Sequence, residues 1–100
     1  MYLVKRIREG VADTEFLGEG SIQLVRKIEV RSLTPYTKIE VYAGTRYNQR
    51  YKGTISLEKG VPVWESEKRK GWTTVKEKRY IKPNGNLGSI VESKAHPFGL

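Results

Sequence analysis

Alternation of apolar and polar side chains between Gly and Pro residues constrains this chain more than any other feature. Arg46 to Leu57 is the clearest run. Tyr47, Gln49, Tyr51, Gly53, Ile55 and Leu57 fall on odd positions, with Arg46, Asn48, Arg50, Lys52, Thr54 and Ser56 between them. A β-strand sends successive side chains to opposite faces, so this run reads as a strand with one apolar-aromatic and one basic face. Helical periodicity is hard to find anywhere, which points to an all-β or nearly all-β domain.

The same reading extends along the chain. Tyr2 to Arg8 is rich in β-formers. From Ile22 to Ser32 the even positions are Ile22, Leu24, Arg26, Ile28 and Val30, predicting a strand whose buried face Arg26 interrupts. Thr34-Pro35-Tyr36 then turns the chain, because Pro fixes φ and lacks a ladder donor. The chain returns with Thr37, Ile39, Val41 and Ala43 on one face, completing a hairpin. Gly44 permits the next reversal, and Gly53 in mid-strand predicts a bulge or sharp bend. Val61 to Gly71 reads as a short strand with a charged turn in preference to a helical turn opened by Pro62 and closed by Gly71. Trp72 to Ile81 and Leu87 to Glu92 form a last hairpin around Lys82-Pro83-Asn84-Gly85-Asn86, whose Asn-Gly pair suits positive φ. Trp64, beside Val61 and Val63, is expected in the core, and so are Tyr47 and Tyr51.

At 100 residues the chain fits one domain, 1–100, with 93–100 a tail that lies across the surface or stays loose. The expected architecture is a small antiparallel β-barrel or sandwich, OB-like or SH3-like, with about six or seven strands and at most one short helix. Cys is absent, which removes disulfides and thiolate metal sites and favours a reducing compartment. Only four apolar residues, Met1 to Val4, precede Lys5, too few for a signal core, and no apolar run spans a membrane; the expectation is a cytoplasmic protein. Ten Glu against one Asp, with only three Asn, two Gln and one Met, is the drift of thermophilic proteins.

The net charge of +8 has a location. Residues 1–20 carry 3 basic and 4 acidic side chains, residues 21–60 carry 8 and 3, and residues 61–100 carry 8 and 4. Basic groups interleaved with aromatic rings are what nucleic acids require, since cations neutralise phosphates and rings stack on unpaired bases. The candidate interface consists of Arg46, Arg50, Lys52, the turn Lys68-Arg69-Lys70, and the face around Trp72, Lys76, Lys78, Arg79 and Tyr80. Trp72 and Tyr80 would stack and the cations would meet phosphates, so single-stranded DNA or RNA is preferred over duplex.

Two other classes compete with this one. A protein-interaction or assembly module would use the same basic surface against acidic partners, or would form a homo-oligomer by strand pairing. An enzyme finds few parts: His96 is the sole His and Asp13 the sole Asp, so relays and metal triads lack members. A metal-dependent nuclease built on Glu65, Glu67 and Glu77 is the weakest reading, because Lys68 and Arg69 make those carboxylates ready ion-pair partners. A non-catalytic protein with no cofactor is the expectation.

Overall fold

The computed structural model describes residues 1–18 and 20–97. Seven strands are present: β1 (Tyr2–Arg8), β2 (Val11–Leu17), β3 (Thr37–Thr45), β4 (Asn48–Glu58), β5 (Val61–Lys70), β6 (Thr73–Ile81) and β7 (Leu87–Pro97). Helix α1 (Ile22–Glu29) runs into a 3₁₀ turn at Val30–Ser32. All strands pair antiparallel in one sheet of order β2-β1-β3-β4-β5-β6-β7.

The β-rich class and strand number agree with the sequence reading, but the sheet is open. It is therefore neither the barrel nor the two-sheet sandwich expected. The connection from β2 to β3 passes over β1 through α1, which leaves β2 at one edge and β7 at the other. The helix supplies the second layer that closure or a second sheet would otherwise provide. Among the described residues no helix is long and apolar enough to cross a membrane.

The strand expected over Ile22 to Ser32 is the helix. Ser21 caps it, its hydroxyl accepting the Leu24 N–H at 3.2 Å. The buried positions Val25, Arg26 and Glu29, with half-buried Ile22, Val30 and Leu33, follow three-and-four spacing. Leu24 and Ile28, on the supposed inner face, are exposed. Thr34-Pro35-Tyr36 consequently leads from the helix into β3 and is not a hairpin turn.

Under α1 lies the core: Val4, Ile39, Val41, Ile55, Trp64 and Ile81 from the sheet against Val25 of the helix. Trp64 is buried as expected. Its indole lies over Gly53, where an added Cβ would approach ring carbons at 2.4 and 2.5 Å. Two polar anchors fix the helix. Arg26, buried, stacks on Trp64 at 5.0 Å and donates through Nε to the Gly85 carbonyl at 2.8 Å. Gly85 adopts φ +88°, and a Cβ there would meet the Gln23 carbonyl oxygen at 2.1 Å. Arg6 grips buried Glu29 with two hydrogen bonds, 2.7 and 3.0 Å, and reaches Glu15 at 2.9 Å. Burial works against this ion, yet the Glu29 and Glu15 carboxylates raise the Arg6 pKa above its ordinary value.

The bend expected at Gly53 is a bulge. Val41 pairs with Gly53 but Tyr42 with Tyr51, so Lys52 is the extra residue. One inserted residue reverses the faces beyond it, which corrects the alternation read from Arg46 to Leu57: Gly53 and Ile55 face the helix, Gln49 and Tyr51 the uncovered side, and Arg50 the helix side. Tyr47 and Tyr51 are accordingly outside the core, at 94% and 45% exposure. Residues 93–97, assigned above to the tail, are the far half of β7, where Ala95 pairs with Val75 and Pro97 with Thr73. Residues 98–100 lie outside the described residues.

Candidate nucleic-acid interface

Two hairpins carry most of the expected contact residues. The β4–β5 pairing runs from Glu58↔Val61 to Thr54↔Glu65 and stops. Beyond that point the first half of β4 pairs with β3, and Ser66 to Lys70 pair with β6. The two strands part, and the sheet continues past its core as an arm of β5, β6 and β7. No residue from 66 to 77 is buried.

Trp72 stands at the tip of this arm, 82% exposed, after Gly71 at φ +59°. Register divides the neighbouring cations between faces: Lys68↔Val75 and Lys70↔Thr73 fall on the helix side, and Arg69↔Thr74 on the uncovered side. Both faces of the arm are thus basic near Trp72.

At the base of the arm the arrangement is different. Lys76, Lys78 and Tyr80 share the uncovered face as expected, but Arg79 does not. It pairs with Trp64 in register on the helix side and donates a hydrogen bond to Glu77. That bond holds the Glu77 carboxyl below its ordinary pKa. The two lysines are shared with carboxylates: Lys76 lies 3.6 Å from Glu67, while Lys78 lies 3.4 Å from Glu58 and 3.7 Å from Glu92. Burial opposes the Lys78 charge, but Glu58, Glu65 and Glu92 together raise its pKa. Lys94 contacts Glu92 at 2.8 Å and lowers that carboxyl's pKa. This face is a ladder of alternating charge in which carboxylates already share both lysines.

The same register divides the acidic trio between two faces. Glu65 and Glu67 oppose Lys78 and Lys76, whereas Glu77 stands on the other face opposite Ser66. Among the described residues no group of three His, Asp or Glu side chains could hold a metal.

The β3–β4 turn holds Arg46 and Tyr47. Successive hairpins alternate ends of an antiparallel sheet, so this turn and the Trp72 turn project from the same end. Arg50 and Lys52 line an open depression of about 360 Å³ with Ala43, Gly44, Thr45 and Asn48. The Arg46 guanidinium lies 5.3 Å from the Phe16 ring centroid, a cation–π contact.

Sequence reasoning missed a row of side chains crossing the uncovered face. Phe16, Leu3, Tyr42 and Tyr51 are consecutive register partners on β2, β1, β3 and β4. The two tyrosine rings meet edge to face at 5.7 Å. Tyr42 donates to Glu40 at 3.0 Å, and Tyr51 hydrogen-bonds the Thr54 hydroxyl. Burial raises both phenol pKa values, and Glu40 adds to the effect. The alternation Lys38, Glu40, Tyr42 already placed Tyr42 on this face, but the bulge hid Tyr51 from the same logic.

Compared with known proteins, the chain matches no family model, no curated protein and no solved structure.

Proposed function

We propose that this is a non-catalytic nucleic-acid-binding protein that takes single-stranded segments at the sheet end where the β3–β4 and β5–β6 hairpins project. Trp72 stacks on an unpaired base, and Tyr47 offers a second ring. Phosphates are met by Lys68, Arg69 and Lys70 around the tip and by Arg46, Arg50 and Lys52 on the neighbouring hairpin. Lys76, Lys78 and Tyr80 border the arm's base in a secondary role, because carboxylates already share the two lysines. Arg79 faces away from them.

The observation that carries this reading is Trp72: 82% exposed, two residues after the run Lys68-Arg69-Lys70, on a hairpin with no buried residue from 66 to 77. A large apolar ring held in water without a packing role suits a stacking partner. Single strands are favoured because an intact duplex hides the base faces a ring needs.

Intrinsic fluorescence titrated with mixed-sequence single-stranded oligonucleotides tests it. Trp64 is buried, so quenching reports on Trp72. Trp72→Ala should weaken single-strand binding by about 1–3 kcal/mol and change duplex binding much less. Failure to bind any nucleic acid at about 50 mM salt, where phosphate attraction is strong, would sink the proposal.

A further inference from the structure

Strand β2 is a sheet edge that no Pro, Lys or bulge interrupts. Its residues pair with β1 in unbroken register from Arg8↔Val11 to Tyr2↔Leu17. The strand contains no Pro, Gly, Lys or Arg, and every residue except Leu17 is exposed, Val11 at 72%. The other edge is built differently: β7 pairs through two register shifts and carries Lys94 and Pro97. A regular, unobstructed edge presents a row of backbone donors and acceptors on which an extended chain can add. In a chain of net charge +8, β2 is moreover purely acidic, with Asp13 and Glu15. Those two stand with Val11 and Leu17 on the helix side, while Ala12, Thr14 and Phe16 stand on the uncovered side.

The carboxylates decide what can add. In a two-fold antiparallel pairing of β2 with itself, opposed side chains share a face. Centring on Thr14 sets Asp13 opposite Glu15 twice. Centring on Asp13 or Glu15 sets that residue against its own copy. Each register that overlaps most of the strand therefore opposes like charges, which is destabilising. Arg6, behind them on β1, is divided between Glu29 and Glu15. A second copy of β2 is thereby disfavoured, and the same charges select an incoming strand of opposite sign.

We propose that the β2 edge is a docking site for a basic extended peptide segment, whose alternating Lys or Arg side chains meet Asp13 and Glu15 while apolar residues between them pack beside Ala12 and Phe16. This site does not rest on the nucleic-acid reading: β1, β3 and β4 separate β2 from the β5–β6 arm, and the two surfaces meet only where Arg46 lies over the Phe16 ring.

Amide NMR on the full chain tests it, with a short peptide alternating Lys with Val and Thr, and its Glu counterpart, as probes. The Lys peptide should shift the β2 amides and protect alternate ones from exchange. Asp13→Asn should weaken that binding about two- to fivefold, the range for one cross-strand ion pair. Asp13→Lys should transfer the preference to the Glu peptide, and Trp72→Ala should change neither titration. Asp13 is exposed, so both variants should keep the wild-type amide pattern elsewhere. The proposal is overturned if the Lys peptide leaves β2 unshifted, if both peptides act equally on the wild type, or if the free chain dimerises through β2.

Discussion

Gly53 joins the backbone path of β4 to the seating of the largest core side chain. A methyl group there would lie 2.4 Å from the Trp64 ring and 2.9 Å from the Glu65 carbonyl oxygen, and neither is the loose end of a flexible chain. Gly53→Ala should therefore cost about 1–3 kcal/mol, the usual scale of overpacking, and should perturb the near-ultraviolet signal of Trp64. Urea denaturation checks the first expectation; an unchanged midpoint would mean that the indole has room to move. Charge acts at the same scale through Glu77, whose carboxyl the Arg79 hydrogen bond holds below its ordinary value, and Glu92, held down by Lys94. In the unfolded chain these groups bind protons near the ordinary 4.5. The folded chain binds them only at lower pH. Their contribution is thus complete above the unfolded value and is lost as pH falls through the folded one. Urea midpoints of the wild type should drop from about pH 5 to pH 3, and those of Glu77→Gln should start lower and fall less steeply. Parallel curves would remove Glu77 from the account.

Elements were legible where one periodicity applied and obscured where two overlapped. β5 and the β6–β7 hairpin follow from alternation and from the Asn84-Gly85 turn. Helix α1 was hidden because Ile22, Arg26 and Val30 satisfy both period two and helical spacing. The Ser21 cap and the helix formers Gln23, Leu24, Arg26, Lys27 and Glu29 were the signals that separate the two. Arg26, which looked like a flaw in a strand, is the cation stacked on Trp64. In the candidate site the turn around Trp72 was legible, because turn residues and charges sit together in sequence. The ion-pair ladder was not, since Lys78 meets Glu58 and Glu92 only through strand order. The arm also makes an element-scale prediction. With no buried residue from 66 to 77, a shortened β5–β6 hairpin lacking Lys68 to Thr73 should keep the core and its melting transition. It should lose most single-strand affinity in the same preparation. A large fall in the melting midpoint would show that the arm belongs to the folding unit.

Over the whole molecule, salt should act on folding and binding with opposite sign. The folded chain concentrates +8 on a small sheet, and that self-repulsion opposes compaction. The Lys76–Glu67, Lys78–Glu58 and Lys94–Glu92 pairs lie on its exposed face. Exposed pairs of this kind add little to stability, so screening them costs little. Screening the long-range excess reaches every cation at once, because the Debye length at physiological salt is about 8 Å, shorter than the sheet is wide. Moderate salt should therefore leave the melting midpoint unchanged or raise it slightly. Nucleic-acid binding should respond in the other direction. Six proposed phosphate contacts on a single strand imply a log–log salt slope of about −4, or roughly a 250-fold loss between about 50 and 200 mM. Thermal melts and oligonucleotide titrations across one salt series separate the two effects. If affinity and melting midpoint fall together, the cations of the two hairpins hold the fold and not a ligand.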